Sequence, residues 1–390
     1  MIVRSIAKYL AILWICCGAA YAEVAVTIGY LERVEPQPPV LSNLDPIPED
    51  EGLAGAELGL KDNATTGRFL KQTYSLEPRI VVEDGDFVSA ARDLLAITPF
   101  IIVKAPGSDL LALADLPEAG SAVVFNAGSP DTALREASCR ANVLHTLPSR
   151  AMLTDALAQF GVRRKWTDWV ILSGPNAKDQ AFAGALEASA QKFGIRILES
   201  KVWDVDADMR RNAFQELPLF TQDFPEHDVL VVADETDDFG RYVPFNAWEP
   251  RPVAGTEGLV PAAWDRTVEQ WGAAQLQNRF EELAGRTMRP VDYAAWAAMR
   301  TIGEAVTRTN QAEAGPIRGY ILSDDFELAG FKGRPQTFRT WNGQMRQPIP
   351  LTHPRAVVAQ APFEGFLHQR TELDTLGIDE AESACKAFRE

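Results

Sequence analysis

Four carboxylates crowd one short stretch. Asp234, Glu235, Asp237 and Asp238 follow the apolar run Val229-Leu230-Val231-Val232-Ala233. A hard cation needs several oxygen ligands, and clustered carboxylates supply them. The quartet is therefore the candidate metal-ligating set, against the plainer reading of a solvated acidic turn. Asp204-x-Asp206-x-Asp208 starts like a calcium loop. It has Met209 where the sharp turn needs glycine and Gln215 where the bidentate glutamate belongs, so it reads as surface. Asp324-Asp325-x-Glu327 reads as a solvated turn.

Two other loops carry small and hydroxylic groups. Asn126, Gly128, Ser129, Asp131 and Thr132 follow the apolar run Ala122-Val123-Val124-Phe125. Such a loop, at the end of a strand and opening a helix, offers N–H groups and hydroxyls to a ligand, or is an ordinary turn with its N-cap. Gly174, Asn176 and Asp179 occupy the matching position after Trp169-Val170-Ile171-Leu172. Ligand pockets are largely apolar and aromatic with a few placed polar groups. Tyr242 and Tyr293 are the aromatic candidates, while Trp296 falls at core-packing spacing.

Catalytic signatures are missing. His145, His227, His353 and His368 form no His-x-x-x-His pair, and there is no Cys-x-x-Cys, Gly-x-Ser-x-Gly, Walker or Gly-x-Gly-x-x-Gly motif. The expectation is a binding protein, with no catalytic residue and no cofactor. A hydrolase built on paired carboxylates ranks last.

The elements that must hold these loops alternate. The stretch 165–203 reads as strand 169–172, a break at Ser173-Gly174-Pro175-Asn176, a helix over 181–193, a stop at Gly194 and strand 195–198. Short strands alternating with helices imply a parallel sheet. The same pattern runs before it: strand 24–30, a proline-rich loop 32–52, helix 52–68, strand material at 74–76 and 79–83, helix 86–97, strand 100–103 and strand 121–125. After it come strand 228–233, helices 267–283 and 292–307, and a strand at 356–359. Asn342-Gly343 between strand-like arms is a strong hairpin signal.

At 390 residues the chain is long enough for two or more domain-sized cores. Its net charge of −16 argues against a nucleic-acid footprint and an anionic membrane surface. Arg4 and Lys8, an apolar core over 9–15 and Ala20-x-Ala22 read as a cleaved secretory signal over 1–22. Ile15 before Cys16 is not small, which weakens a lipid-anchor reading. No later run is long enough to span a membrane. Cleavage after Ala22 leaves Cys139 and Cys385. An exported chain with two cysteines is expected to bridge them, the alternative being two buried thiols.

Together these segments resemble the type I family of periplasmic solute-binding proteins, which includes the leucine/isoleucine/valine-binding components of ABC transporters. The resemblance rests on the 24–83 order followed by Glu83-Asp84-Gly85-Asp86 and on the loop after Phe125. It rests also on the crossover His145-Thr146-Leu147-Pro148-Ser149, the segments 172–183 and 271–308, and the closing hairpin at 330–349. It implies an α/β fold of two doubly wound parallel-sheet lobes joined by a multi-crossover hinge. Lobe one would take 23–145 and 267–345, and lobe two 146–266 and 346–390. It also implies a monomer in the periplasm that closes on a small solute and passes it to an ABC permease. The implied ligand groups lie at 126–132, 174–179 and 234–238, with Tyr293 just before a late helix. Phe239-Gly240-x-Tyr242-x-Pro244, 251–256 and 271–275 resemble a branch that accompanies pyrroloquinoline quinone-dependent alcohol dehydrogenases. Some of those enzymes use lanthanides, so the rival expectation is a calcium or lanthanide binder or sensor. Asp131 would repel a carboxylate, which departs from the amino-acid binders.

Overall fold

The computed structural model describes residues 23–36, 47–204 and 209–389. The segment read as a signal (1–22), the centre of the proline-rich loop (37–46), and Asp206 and Asp208 lie outside the described residues.

The first lobe opens with β1 (Val24–Arg33), α1 (Leu53–Leu70), β2 (Gln72–Val81), α2 (Phe87–Leu95), β3 (Phe100–Lys104), α3 (Gly107–Ala114), β4 (Val123–Asn126) and β5 (Val143–His145). Its strands pair in the order β2-β1-β3-β4-β5, all parallel. Helices cover both faces, so β3 and β4 are apolar up to Lys104 and Asn126 at their carboxyl ends. The edge strand β2 alternates in burial and tolerates Pro78, which has no N–H to give.

The second lobe repeats the scheme. It contains α4 (Arg150–Arg164), β6 (Asp168–Ser173), α5 (Ala177–Phe193), β7 (Arg196–Val202), α6 (Met209–Thr221), β8 (Val229–Ala233), the short α7 (Val243–Asn246) and β9 (Val253–Gly255). The order is β7-β6-β8-β9, again parallel. The unit expected over 165–203 is present. Asn176 and Asp179 close a capping box on α5, and Gly194, at φ 70°, ends it.

From β10 (Val260–Pro261) the chain returns to the first lobe with α8 (Ala273–Ala284), α9 (Pro290–Thr309) and α10 (Ala314–Ile321). The hairpin of β11 (Thr337–Phe338) and β12 (Met345–Arg346) turns at Asn342-Gly343 as expected. β13 (Ile349–His353) and β14 (Ala356–Ala361) then pair with β10 beside the second lobe's core. The helix expected from Thr267 begins only at Ala273. Trp271 and Gly272 take left-handed φ values of 56° and 82°, so the chain turns before the helix can start. Glycines let α1 lie directly on α9. A Cβ at Gly55 would stand 1.9 Å from the Asp292 carbonyl oxygen, and one at Gly59 2.7 Å from the Met299 Cβ.

The crossings between lobes are laced together. Gln344 donates to the carbonyls of His145 and Leu147 (both 3.2 Å), and Gln347 donates to Thr146 (2.8 Å). The C-terminal tail adds a further link. Phe363 and Leu376 sit in the second lobe's core, and the Gly377 N–H donates to Asp155 at 2.7 Å. The tail then crosses to the first lobe. There Ser383 donates to Glu136 at 3.0 Å, and Cys385 is disulfide-bonded to Cys139 across 246 residues of chain. The expected bridge is therefore present, and through the tail it links the two lobes.

A cross-link closing so long a loop restricts the unfolded chain. Cys385→Ser should lower unfolding stability by about 2–5 kcal/mol in urea titrations. Denatured but unreduced protein should show no reactive thiol in the mature chain, and two after reduction.

Candidate functional site

In parallel sheets the loops at the carboxyl ends of the strands are where ligands are met. The first lobe presents 105–107 after β3 and 128–131 after β4. The second presents the N-terminal turn of α5 after β6 and 234–237 after β8. These loops face each other across a cleft of about 740 Å³. Leu147, Leu153, Phe182, Pro106 and Val291 give it apolar wall, and charged groups stand among them.

The first jaw is built around Asn126, which is buried. Its Oδ1 accepts the N–H groups of Gly128 (3.2 Å) and Ser129 (2.9 Å), and its Nδ2 donates to the Ser129 carbonyl (2.8 Å). The Ser129 hydroxyl donates to Asp131 at 3.0 Å. Arg135, wholly buried, braces the loop from behind. It donates to the carbonyls of Ser129 and Asp131 (2.9 Å each), to Leu147 (2.8 Å) and to Gln344 (2.9 Å). One guanidinium therefore joins the loop to two interlobe crossings. Burial pulls its pKa down to about 9, with Asp131 opposing, so it remains charged at neutral pH.

The second jaw is held by two carboxylates that turn inward. Asp179, fully buried, accepts from the Asn176 N–H (3.3 Å) and from the N–H and hydroxyl of Thr236 (3.2 Å each). It fixes the start of α5 to the loop after β8. Asp234 accepts the N–H groups of Asp238, Phe239 and Gly240 at 3.0, 2.9 and 2.6 Å.

Between the jaws lies Arg150, the first residue of α4. It grips Glu235 with two nitrogens, at 2.6 to 3.0 Å, and pairs with Asp131 through a third. Asp131 belongs to the first lobe's loop and Glu235 to the second's, so the guanidinium spans the cleft floor. Burial opposes the charged form of Asp131, yet the Arg150 hydrogen bond and charge hold its carboxyl below the usual range. At Glu235 burial wins and pushes the carboxyl up despite Arg150. At the mouth Lys178 of α5 reaches Glu35 beyond β1 at 2.5 Å, a second bridge between lobes.

The expected ligand residues divide. Gly128, Ser129 and Asp131 line the cleft, as do Asp234, Glu235 and Asp237. Asn126, Thr132, Gly174, Asn176 and Asp179 stand behind the lining and shape it. Tyr293 is elsewhere: it stacks on Trp264 at 4.8 Å inside the first lobe's core, its hydroxyl donating to Gly330 (2.7 Å). Tyr242 packs against the second lobe's outer-face core and is not in the cleft. The acidic quartet is not assembled as a metal centre: among the described residues no group of three ligating side chains converges. Asp234 is occupied by backbone amides, Glu235 by Arg150 and Asp237 by Arg241. Sequence reasoning does not single out Arg150, Lys178, Glu35, Glu51, Arg289 or Arg135. The only signal for Arg150 is its place directly after the crossover serine.

No protein-family model and no curated protein sequence matches the chain. Solved structures do. An ABC transporter substrate-binding protein from Sphaerobacter thermophilus superposes with a TM-score of 0.70 at 16% identity, over 91% of this chain and 100% of that one. A branched-chain amino acid ABC transporter periplasmic ligand-binding protein from Burkholderia xenovorans gives 0.69 at 14% identity, over 93% and 100%. A solute-binding protein of an ABC transporter from R. palustris, in complex with benzoate, gives 0.64 at 11%, over 93% and 99%. The chain has their fold, two parallel-sheet α/β lobes of the type I periplasmic-binding-protein kind.

Arg150→Met leaves two carboxylates facing each other without their cation. It should cost about 3 kcal/mol in urea unfolding at neutral pH. Asp131→Asn tests the pH dependence. Because the folded carboxyl is held below its unfolded value, its stabilisation is complete above the unfolded pKa and lost as pH falls through the folded one. The stability gap between wild type and Asp131→Asn should therefore be present at pH 7 and close under acid.

Proposed function

We propose that this chain is the periplasmic substrate-binding component of an ABC transporter. It captures a small solute between its lobes by hinge closure and presents it to the permease. The observation that carries the reading is the cleft itself. It opens where the carboxyl ends of both parallel sheets meet, and ion pairs join its two walls. A ligand touching both jaws stabilises the closed arrangement, and the shift is bounded by its difference in affinity for the two states. Its lobes are taken as 23–145 with 267–345, and 146–266 with 346–390. One chain carries both walls, so a monomer suffices. The 1–22 segment supports export. Among the described residues no helix is long and apolar enough to cross a membrane.

The narrower link to pyrroloquinoline quinone-dependent alcohol oxidation rests on sequence resemblance alone. Its segments have structural duties in the fold. Gly255, at φ 115°, lets β9 approach β8, where a Cβ would lie 2.1 Å from the Val232 carbonyl oxygen. The Trp271 ring covers Gly333. Of the four carboxylates in the metal-binding alternative, Asp234, Glu235 and Asp237 are engaged by backbone amides, Arg150 and Arg241.

Ala181, exposed on α5, faces the cleft. Ala181→Trp should keep the melting temperature of the free protein and lose the stabilisation that bound solutes give the wild type, which mass action requires of any native-state ligand. Solute stabilisation that survives Ala181→Trp would contradict the cleft as the binding site.

A further inference from the structure

The proposed binding cleft also points to a class of ligand, and the inference rests on that cleft being the binding site. Proteins hold anions with spare N–H groups, hydroxyls or cations. In the loops behind and beside this cleft many of those groups are engaged. On the first jaw, the Gly128 and Ser129 amides serve Asn126 and the Ser129 hydroxyl serves Asp131. On the second, the amides of Asn176 and Thr236 serve Asp179. Among the described residues, each cation lining the cleft is already ion-paired: Arg150 with Asp131 and Glu235, Lys178 with Glu35, Arg289 with Glu51 at 2.8 Å. Carboxylate side chains outnumber cations in that lining, seven to three.

An arriving carboxylate or phosphate that uses these groups must break an internal bond, and it enters against an excess of carboxylates in the lining. A cation does neither. The Asp131 side chain is 42% exposed, while the Arg150 side chain it partners is 5% exposed. One side of the Asp131 carboxylate thus faces the open cleft. We infer that the cleft takes a small organic cation, an ammonium-bearing solute without a carboxylate, and that Asp131 receives its positive group. Phe182, Leu147 and Leu153 offer the apolar wall that a carbon skeleton needs.

The test uses the mature chain and matched sets of solutes: diamines and quaternary ammonium compounds, the diols and the dicarboxylates of the same carbon skeletons. Thermal stabilisation and calorimetric titration are read at low and high salt. Members of the ammonium set should bind, and more weakly as salt rises, because the attraction is screened. Asp131→Asn should weaken that binding about tenfold or more, as expected for a lost charge-assisted bond. The double variant Asp131→Asn with Glu235→Gln leaves Arg150 without its carboxylates. Its preference should invert toward the dicarboxylate, an outcome that general loss of folding cannot produce.

Binding of a dicarboxylate or diol but of no ammonium solute overturns the inference. If that binding is abolished by Ala181→Trp, the cleft remains the binding site and only the ligand class falls. Ammonium binding untouched by Ala181→Trp overturns both. An ammonium panel without a single binder overturns the inference.

Discussion

A guanidinium shared by two carboxylates holds the centre of this molecule. Arg150 begins a helix, where the dipole disfavours positive charge. It is also nearly buried, where a charge must be paired. Asp131 from one lobe and Glu235 from the other offset both costs. The arrangement is unfavourable for a helix start and well suited to a joint. The first helix of the second lobe leaves the crossover at a point from which a single side chain touches both jaws.

The parts around it serve the same geometry. Arg135 fixes the first jaw to the crossings, joining the loop at 129–131 to the chain at 147 and 344 through one guanidinium. Asp179 and Asp234 fix the second jaw by accepting backbone N–H groups. Both jaws are thereby braced within their own lobes, as the proposed hinge closure would require. The disulfide-anchored tail adds a covalent link between the lobes. It is held to the second lobe at Gly377 and to the first at Cys385.

Much of the architecture is legible in the sequence because it follows from local pattern. Doubly covered parallel strands favour apolar runs, and the runs at 100–103, 123–125, 169–172 and 229–233 are four of the five inner strands of the two sheets. Asn176, Gly194 and Asn342-Gly343 mark a cap, a stop and a turn with known backbone chemistry. The helix start expected at 267 is displaced because left-handed φ at Trp271 goes with its packing on Gly333, a contact far along the chain. The site is legible only as loops. That Asp131 faces the cleft can be read from position. That Asp179 and Asp234 turn their oxygens to amides cannot, since both are carboxylates in small polar loops like any surface pair. Tyr293 occupies a position where a pocket residue is expected. It turns inward because Trp264, from a distant crossing, offers it a stacking partner.

Two lobes that close over a cleft are what the proposed function requires above all. The direct measurement is the distance distribution between spin labels at Ser108 of the first lobe and Ala188 of the second, both exposed. It would be recorded by pulsed electron resonance with and without a solute that raises the melting temperature. Hinge closure predicts a longer and a shorter population in the free protein, the solute collapsing them onto the shorter, and the Ala181→Trp variant failing to collapse. A single distance, unchanged by a solute that demonstrably binds, would contradict it.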